Sequence, residues 1–147
     1  MFKHILVPTD GLPASRPAIL SAIALACSCG ARITGIHVVP DFHVLTPDPD
    51  MLEATRGSYL EDSVAAGGRI LNFITERARE VGVECTTILK RSDHPHQKIL
   101  DAAKENGCDL IAMAPHSKFG LKDVLLGSET HKVLLHSPVP VLVLRAA

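Results

Sequence analysis

Three short polar stretches of this chain hold residues suited to binding a small anionic ligand. Pro8, Thr9 and Asp10 follow the apolar run Ile5-Leu6-Val7, Ala114 to Lys118 follow the run Leu110 to Met113, and Gly127-Ser128 precede a periodic stretch. In an open parallel sheet a ligand sits beyond the carboxyl ends of the strands, where the strand order reverses, so loops leaving two such runs would flank one cleft. A small-residue turn at a helix start adds free backbone N–H groups and the positive end of the helix dipole, for which phosphate is the natural partner. Each feature also has a plain structural role. Asp10 can cap the helix after it, and Gly127-Ser128 can be a helix start with Ser as N-cap. Val39 and Met113 would be ordinary core residues without a ligand.

Other chemistries lack their residues. There is no G-x-G-x-x-G after the first apolar run and no G-x-x-x-x-G-K-[ST] anywhere, which speaks against dehydrogenase and P-loop sites. Asp10 stands alone where a response regulator needs paired acids. The eight histidines include no H-E-x-x-H and no Cys/His zinc spacing, so no metal site is expected. Within the loop after Met113, His116 is open to two readings, a phosphate contact or a loop-packing or dimer-facing side chain. Cys27, Cys29, Cys85 and Cys108 have no C-x-x-C spacing and are expected to be reduced thiols in core or surface positions. No Ser/His/Asp order, carboxylate pair or Lys nucleophile is spaced for catalysis.

The elements that would position these residues alternate from end to end, apolar run then periodic stretch, which is the pattern of a parallel sheet with helices on both faces. The first strand is expected at Ile5–Val7, then a helix from about Pro13 to Cys29 closed by Gly30, with Pro17 delaying or distorting its start. A second strand at Arg32–Val39 reads as buried on both faces. Pro40, Pro47 and Pro49 mark Asp41 to about Thr55 as the one long connection, a flexible loop over about residues 41–57. A helix from about Tyr59 to Val81 carries the stripe Leu60, Val64, Leu71, Ile74, Ala78 and Val81. Next come a strand at Glu84–Lys90, a helix capped by Ser92-Asp93-His94-Pro95 and ending at Asn106-Gly107, a strand at Leu110–Met113, and a helix through about His136. Pro138 and Pro140 flank a closing strand, Val141–Leu144, and favour an edge position for it.

At 147 residues with 46% hydrophobic content the chain suits one domain, 1–147. A net charge of −1 supplies no broad positive field for nucleic acid or anionic lipid, and 3% aromatic content without Trp leaves few stacking platforms for single strands. Neither a signal peptide in MFKHILVPTD nor a run of ~20 apolar residues is visible, so a cytoplasmic protein with no membrane partner is expected.

The stretches KHILVPTDG, DLIAMAPHSKFGLKDVLLGSETHKVL and SPVPVLVLR resemble the universal stress protein family in order, spacing and position, over essentially the whole chain. The resemblance implies a five-stranded parallel sheet in the order 3-2-1-4-5, a homodimer paired through Val141, Leu142, Val143 and Leu144, and, in one branch, ATP held across the first and fourth strands. ADP and AMP are the other nucleotide candidates, and Mg is the candidate companion ion. That branch carries the motif Gly, two residues, Gly, nine residues, then Gly-Ser or Gly-Thr. Here the positions are Ala114, Ser117 and Gly127-Ser128: the spacing is kept and the first two glycines are replaced. Should Ser117 need a left-handed backbone, the cost is about 1–2 kcal/mol, roughly tenfold in affinity. Leu12 stands where the family commonly has Ser. Carried over by position, Pro8, Thr9 and Asp10 would meet adenine and ribose, and Val39 and Met113 would line the adenine pocket. Ser128, Glu129 and Thr130 would offer donors to the phosphates, with Lys118 as counter-charge. The implied function is a nucleotide-dependent module of stress response or signalling. The alternatives are a nucleotide-independent dimer acting through protein partners and a weak ATPase.

Overall fold

The computed structural model describes residues 1–42, 49–115 and 126–145. Strands β1 (His4–Pro8), β2 (Arg32–Val39), β3 (Cys85–Arg91), β4 (Leu110–Met113) and β5 (Val141–Val143) form one sheet in the order β3-β2-β1-β4-β5. All neighbouring strands are parallel. Helices α1 (Arg16–Cys29), α2 (Pro49–Glu80), α3 (Pro95–Glu105) and α4 (Ser128–His136) provide the connections.

The strand pleat sorts the core into two halves, because successive side chains point to opposite faces. Ile5 and Val7 of β1 join Leu110 and Ala112 of β4 under α1 and α2, with Ile19, Ala22, Leu71 and Ile74. Leu6, Ile36 and Ile111 point the other way, onto Ile99, Ala102 and Ala103 of α3 and Val133 of α4. β1 and β4 are therefore apolar almost throughout, as strands covered on both faces must be. One polar thread crosses this interior: His4 Nε2 lies 2.6 Å from Thr34 Oγ1, which lies 3.0 Å from Thr86 Oγ1. Asp109 closes the same end of the sheet by accepting the N–H groups of Lys3 and His4 at 2.9 and 3.0 Å.

Pro17 has the expected effect. Lacking an N–H, it sits in the first turn of α1, and the chain enters that helix through a separate 3-10 turn at Pro13–Ser15. Gly30 closes α1 in the left-handed conformation, φ 68°. The edge position expected for the last strand is also observed.

Two expectations are corrected. The long helix begins at Pro49, not near Tyr59, so residues 49–57 of the expected loop are helical. Pro49 signalled a loop in the sequence, yet proline is well tolerated in a first helical turn. Residues 43–48 of that loop lie outside the described residues. Second, Val64 and Val81 are half exposed, at 55% and 49%. Val81 follows the helix end, and Val64 flanks the buried line that runs through Gly67, Leu71, Ile74 and Ala78. Gly67 belongs to that line because a Cβ there would come within 2.6 Å of Leu89 Cδ1.

Candidate functional site

The carboxyl end of β1 is where the sheet order turns, with β2 on one side and β4 on the other. Leaving β1, the chain is tied down at once: Thr9 N–H donates to Ile36 O of β2 at 2.9 Å. Thr9 Oγ1 accepts the Gly11 N–H at 3.1 Å and lies 3.0 Å from Ser15 Oγ. Ser15 Oγ donates its own proton to Leu12 O at 2.8 Å, so the Thr9 hydroxyl donates to Ser15. Gly11 holds φ 81°, and a Cβ on it would meet Ile70 of α2 at 2.4 Å. Asp10 Oδ1 accepts the Leu12 N–H at 2.9 Å, an Asx turn within the loop. The Asp10 side chain thus shapes the loop and does not cap the first helical turn, whose N-cap is Leu12.

On the β2 side, His37 is buried and its Nδ1 lies 2.9 Å from Thr9 O. A carbonyl only accepts, so Nδ1 carries a proton and donates it to Thr9 O. On the β3 side, Ser92 N–H donates to Val39 O at 2.8 Å, and Ser92 Oγ accepts the His94 N–H at 3.0 Å. His94 is the N-cap of α3 and Pro95 its first residue, within the cap stretch expected from the sequence, and Ser92 supports the turn from two residues before the cap.

Beyond β4, Gly127 N–H donates to Pro115 O at 2.7 Å and Thr130 Oγ1 donates to Ala114 O at 3.0 Å. These two bonds lock the start of α4 to the end of β4. Gly127 is the N-cap of α4 and makes no side-chain cap bond, so Ser128 is the first helical residue and not the N-cap anticipated from sequence. Glu129 Oε2 accepts both the backbone N–H of His96 (2.8 Å) and its ring Nδ1–H (2.9 Å), while Oε1 lies 3.4 Å from Lys132 Nζ. Burial pushes the Glu129 carboxyl up, but the His96 donors and Lys132 outweigh it and hold the group below its ordinary value of 4.5.

These loops enclose a cleft of about 450 Å³. Its apolar floor is Ile36, Val38, Ile99 and Met113, and its polar wall includes Thr9, Asp10, Ser92, Asp93, Glu129 and Thr130. Of the candidate residues, Pro8, Thr9, Asp10, Met113, Ala114, Glu129 and Thr130 all line it. Val39 does not. The pleat puts Val38 against the α3 side of the sheet and turns Val39 away, so Val38 and Pro40 take the place expected for it. Gly127 and Ser128 build the helix start without lining the cleft. His116, Ser117 and Lys118 lie outside the described residues.

Sequence reasoning missed Ser15, Ile36, His37, Ser92, Asp93, Pro95 and Ile99, all of which line the cleft. The signal existed for the loop after β3. The rule that ligands meet the carboxyl ends of strands applies to that loop as well as to those after β1 and β4, yet Ser92 to Pro95 read only as a helix cap.

The universal stress protein family model matches residues 1–145. A universal stress protein of Bacillus subtilis is 33% identical over 149 residues, covering 99% of this chain and all (100%) of that one. The solved structure of the protein MJ0577, a universal stress protein of Methanocaldococcus jannaschii, superposes with a TM-score of 0.84 at 26% identity, covering 100% of this chain and 98% of that one. More distant structures share the fold. A universal stress protein in complex with cAMP has a TM-score of 0.66 at 20% identity (99% and 98% of the two chains), and an Arabidopsis thaliana family member with AMP bound has 0.69 at 18% (99% and 92%).

Proposed function

This chain belongs to the universal stress protein family, and within it we propose that the chain binds an adenine nucleotide in the cleft at the ends of β1 and β4. The observation that carries the reading is the cleft's division into an apolar floor and a polar wall. Ile36, Val38, Ile99 and Met113 offer a flat apolar bed for a purine, and the Asp10 carboxylate is an acceptor for ribose hydroxyls. Thr130 and the first turn of α4 stand where a phosphate would profit from the helix dipole. The complexes of fold neighbours with cAMP and AMP support the same reading. Adenine and ribose carry it, so AMP, ADP and ATP all fall within the class, with Mg as companion ion of the triphosphate.

Calorimetric titration of the purified protein tests it. Saturable heat with AMP and none with GMP is expected; silence with AMP, ADP and ATP at high-micromolar protein and millimolar nucleotide refutes it.

The proposal includes a cytoplasmic homodimer joined through β5. Among the described residues no helix is long and apolar enough to cross a membrane. β5 lies at the sheet edge, where unpaired backbone groups invite a second strand. Leu142 is 37% exposed there, and Leu134 and Leu135 of α4 are 39% and 65% exposed, a combination that favours a second copy over solvent. Light scattering at micromolar concentration should give twice the chain mass, and a monomer mass refutes the dimer.

A further inference from the structure

Glu129 occupies the place in the cleft where a phosphate would be expected to gain most. It lies in the first turn of α4 and lines the cleft. Its Oε2 already accepts the His96 N–H, a first-turn donor of α3, at 2.8 Å. A helix start that could serve an incoming anion is thus engaged by the protein's own carboxylate. The Glu129 side chain is only 23% exposed, so its charge is weakly screened by solvent. The carboxylates of Asp10 and Asp93 line the same cleft, whereas His96 and Lys132, which balance Glu129, are not among its described lining residues. Three carboxylate residues thus stand among the described lining, and Glu129 is the one at the start of α4.

Resting on the adenine reading above, we infer that the cleft selects adenine ligands of low charge, adenosine and the monophosphates, against ATP, and that Glu129 is the residue that sets this preference. Charge increases from adenosine through AMP to ATP, and repulsion by a part-buried carboxylate near the phosphate end lowers ATP affinity relative to adenosine by about tenfold. Adenine and ribose contacts are common to the whole series, so the discrimination falls on the phosphate end alone.

The test is a calorimetric comparison of adenosine, AMP and ATP in magnesium-free buffer, with the wild type and Glu129→Gln. Gln keeps the length of Glu and an oxygen able to accept the His96 N–H, and removes the charge. Wild type should bind ATP most weakly of the three, and the substitution should raise the ratio of ATP to adenosine affinity about tenfold. A second measurement needs no variant. Repulsion is weakened by screening, so ATP binding to the wild type should tighten from low to high salt while adenosine binding stays level. A ratio unchanged in Glu129→Gln, or ATP binding that weakens with salt, overturns the inference while adenosine binding leaves the adenine reading standing. If none of the three binds the wild type, both fall together. Should Glu129→Gln fail to fold, the sign of the salt dependence decides.

Discussion

Replacing Gly11 by Ala tests how the loop carrying Asp10 is held. Gly11 has φ 81°, a left-handed conformation that costs a residue with a Cβ about 1–2 kcal/mol. A Cβ there would also come 2.4 Å from Ile70 Cδ1 and 2.7 Å from Cγ1, forcing a β-branched side chain of α2 to move. Overpacking of this kind costs about 1–3 kcal/mol. The two together give ~2–5 kcal/mol, which for a domain of this size lowers Tm by about 4–20 °C. Gly30 separates the contributions, since it has φ 68° with nothing within 4 Å of an added Cβ. Gly30→Ala should therefore show only the backbone cost, about 1–2 kcal/mol. Thermal and urea unfolding of both variants, and of Gly11→Ala combined with Ile70→Ala, measure the difference. The double variant should show a favourable coupling of about 1–3 kcal/mol as the collision is relieved. If Gly11→Ala unfolds at the same point as Gly30→Ala, or if trimming Ile70 recovers nothing, then α2 does not brace the loop and the reasoning is refuted.

Thr130→Val should destabilise by about 1–2 kcal/mol in urea unfolding, because it removes a buried donor to Ala114 O at 3.0 Å; an unchanged midpoint would show that this bond does not hold α4 to β4. Asp10→Ala should weaken AMP binding about tenfold through loss of a charged acceptor for ribose, and equal affinity in calorimetry would exclude that role. The His4 pKa is lowered from 6.5, chiefly by burial and then by the Arg32 charge. Below 6.5 the unfolded chain then binds more protons than the folded one, so His4 makes stability fall as pH drops through that value and level off below the folded pKa. Glu129 and Asp109, held below 4.5 and 3.8, lose their stabilising effect only in a more acid range. Unfolding midpoints at about pH 7.5 and about pH 5.5 should therefore converge more closely in His4→Gln than in the wild type, and identical slopes would remove His4 from the account.

The sheet was legible because its central strands are covered on both faces. Ile5-Leu6-Val7 and Leu110 to Met113 read as uninterrupted apolar runs, and the glycine after Cys29 closes α1 as it should. The start of α2 was illegible for a physical reason: Pro49 is acceptable in a first turn and a breaker elsewhere, and the sequence alone does not say which turn it occupies. The ends of β1 and β4, where the candidate residues were placed from the sequence, do border a cleft. Val38 and Val39 could not be told apart in the sequence, because a cleft wall takes one residue in two along a strand, and only the pleat's phase puts Val38 along the cleft. The bond between Glu129 and His96 spans 33 residues and joins two helix starts, a contact that no local pattern encodes.

The position of β1 bears on when the cleft comes into being during synthesis. The first strand made is the central one, and its partner β4 begins only at Leu110. Asp109, whose carboxylate holds the N–H groups of Lys3 and His4, is 106 and 105 residues away from them. While the ribosome is still adding α3, β4 has not yet been made to pair with β1, and neither have the residues of α4 that complete the cleft. A ligand of this cleft could therefore stabilise only a nearly finished chain, acting on the last stage of folding without assisting the earlier ones.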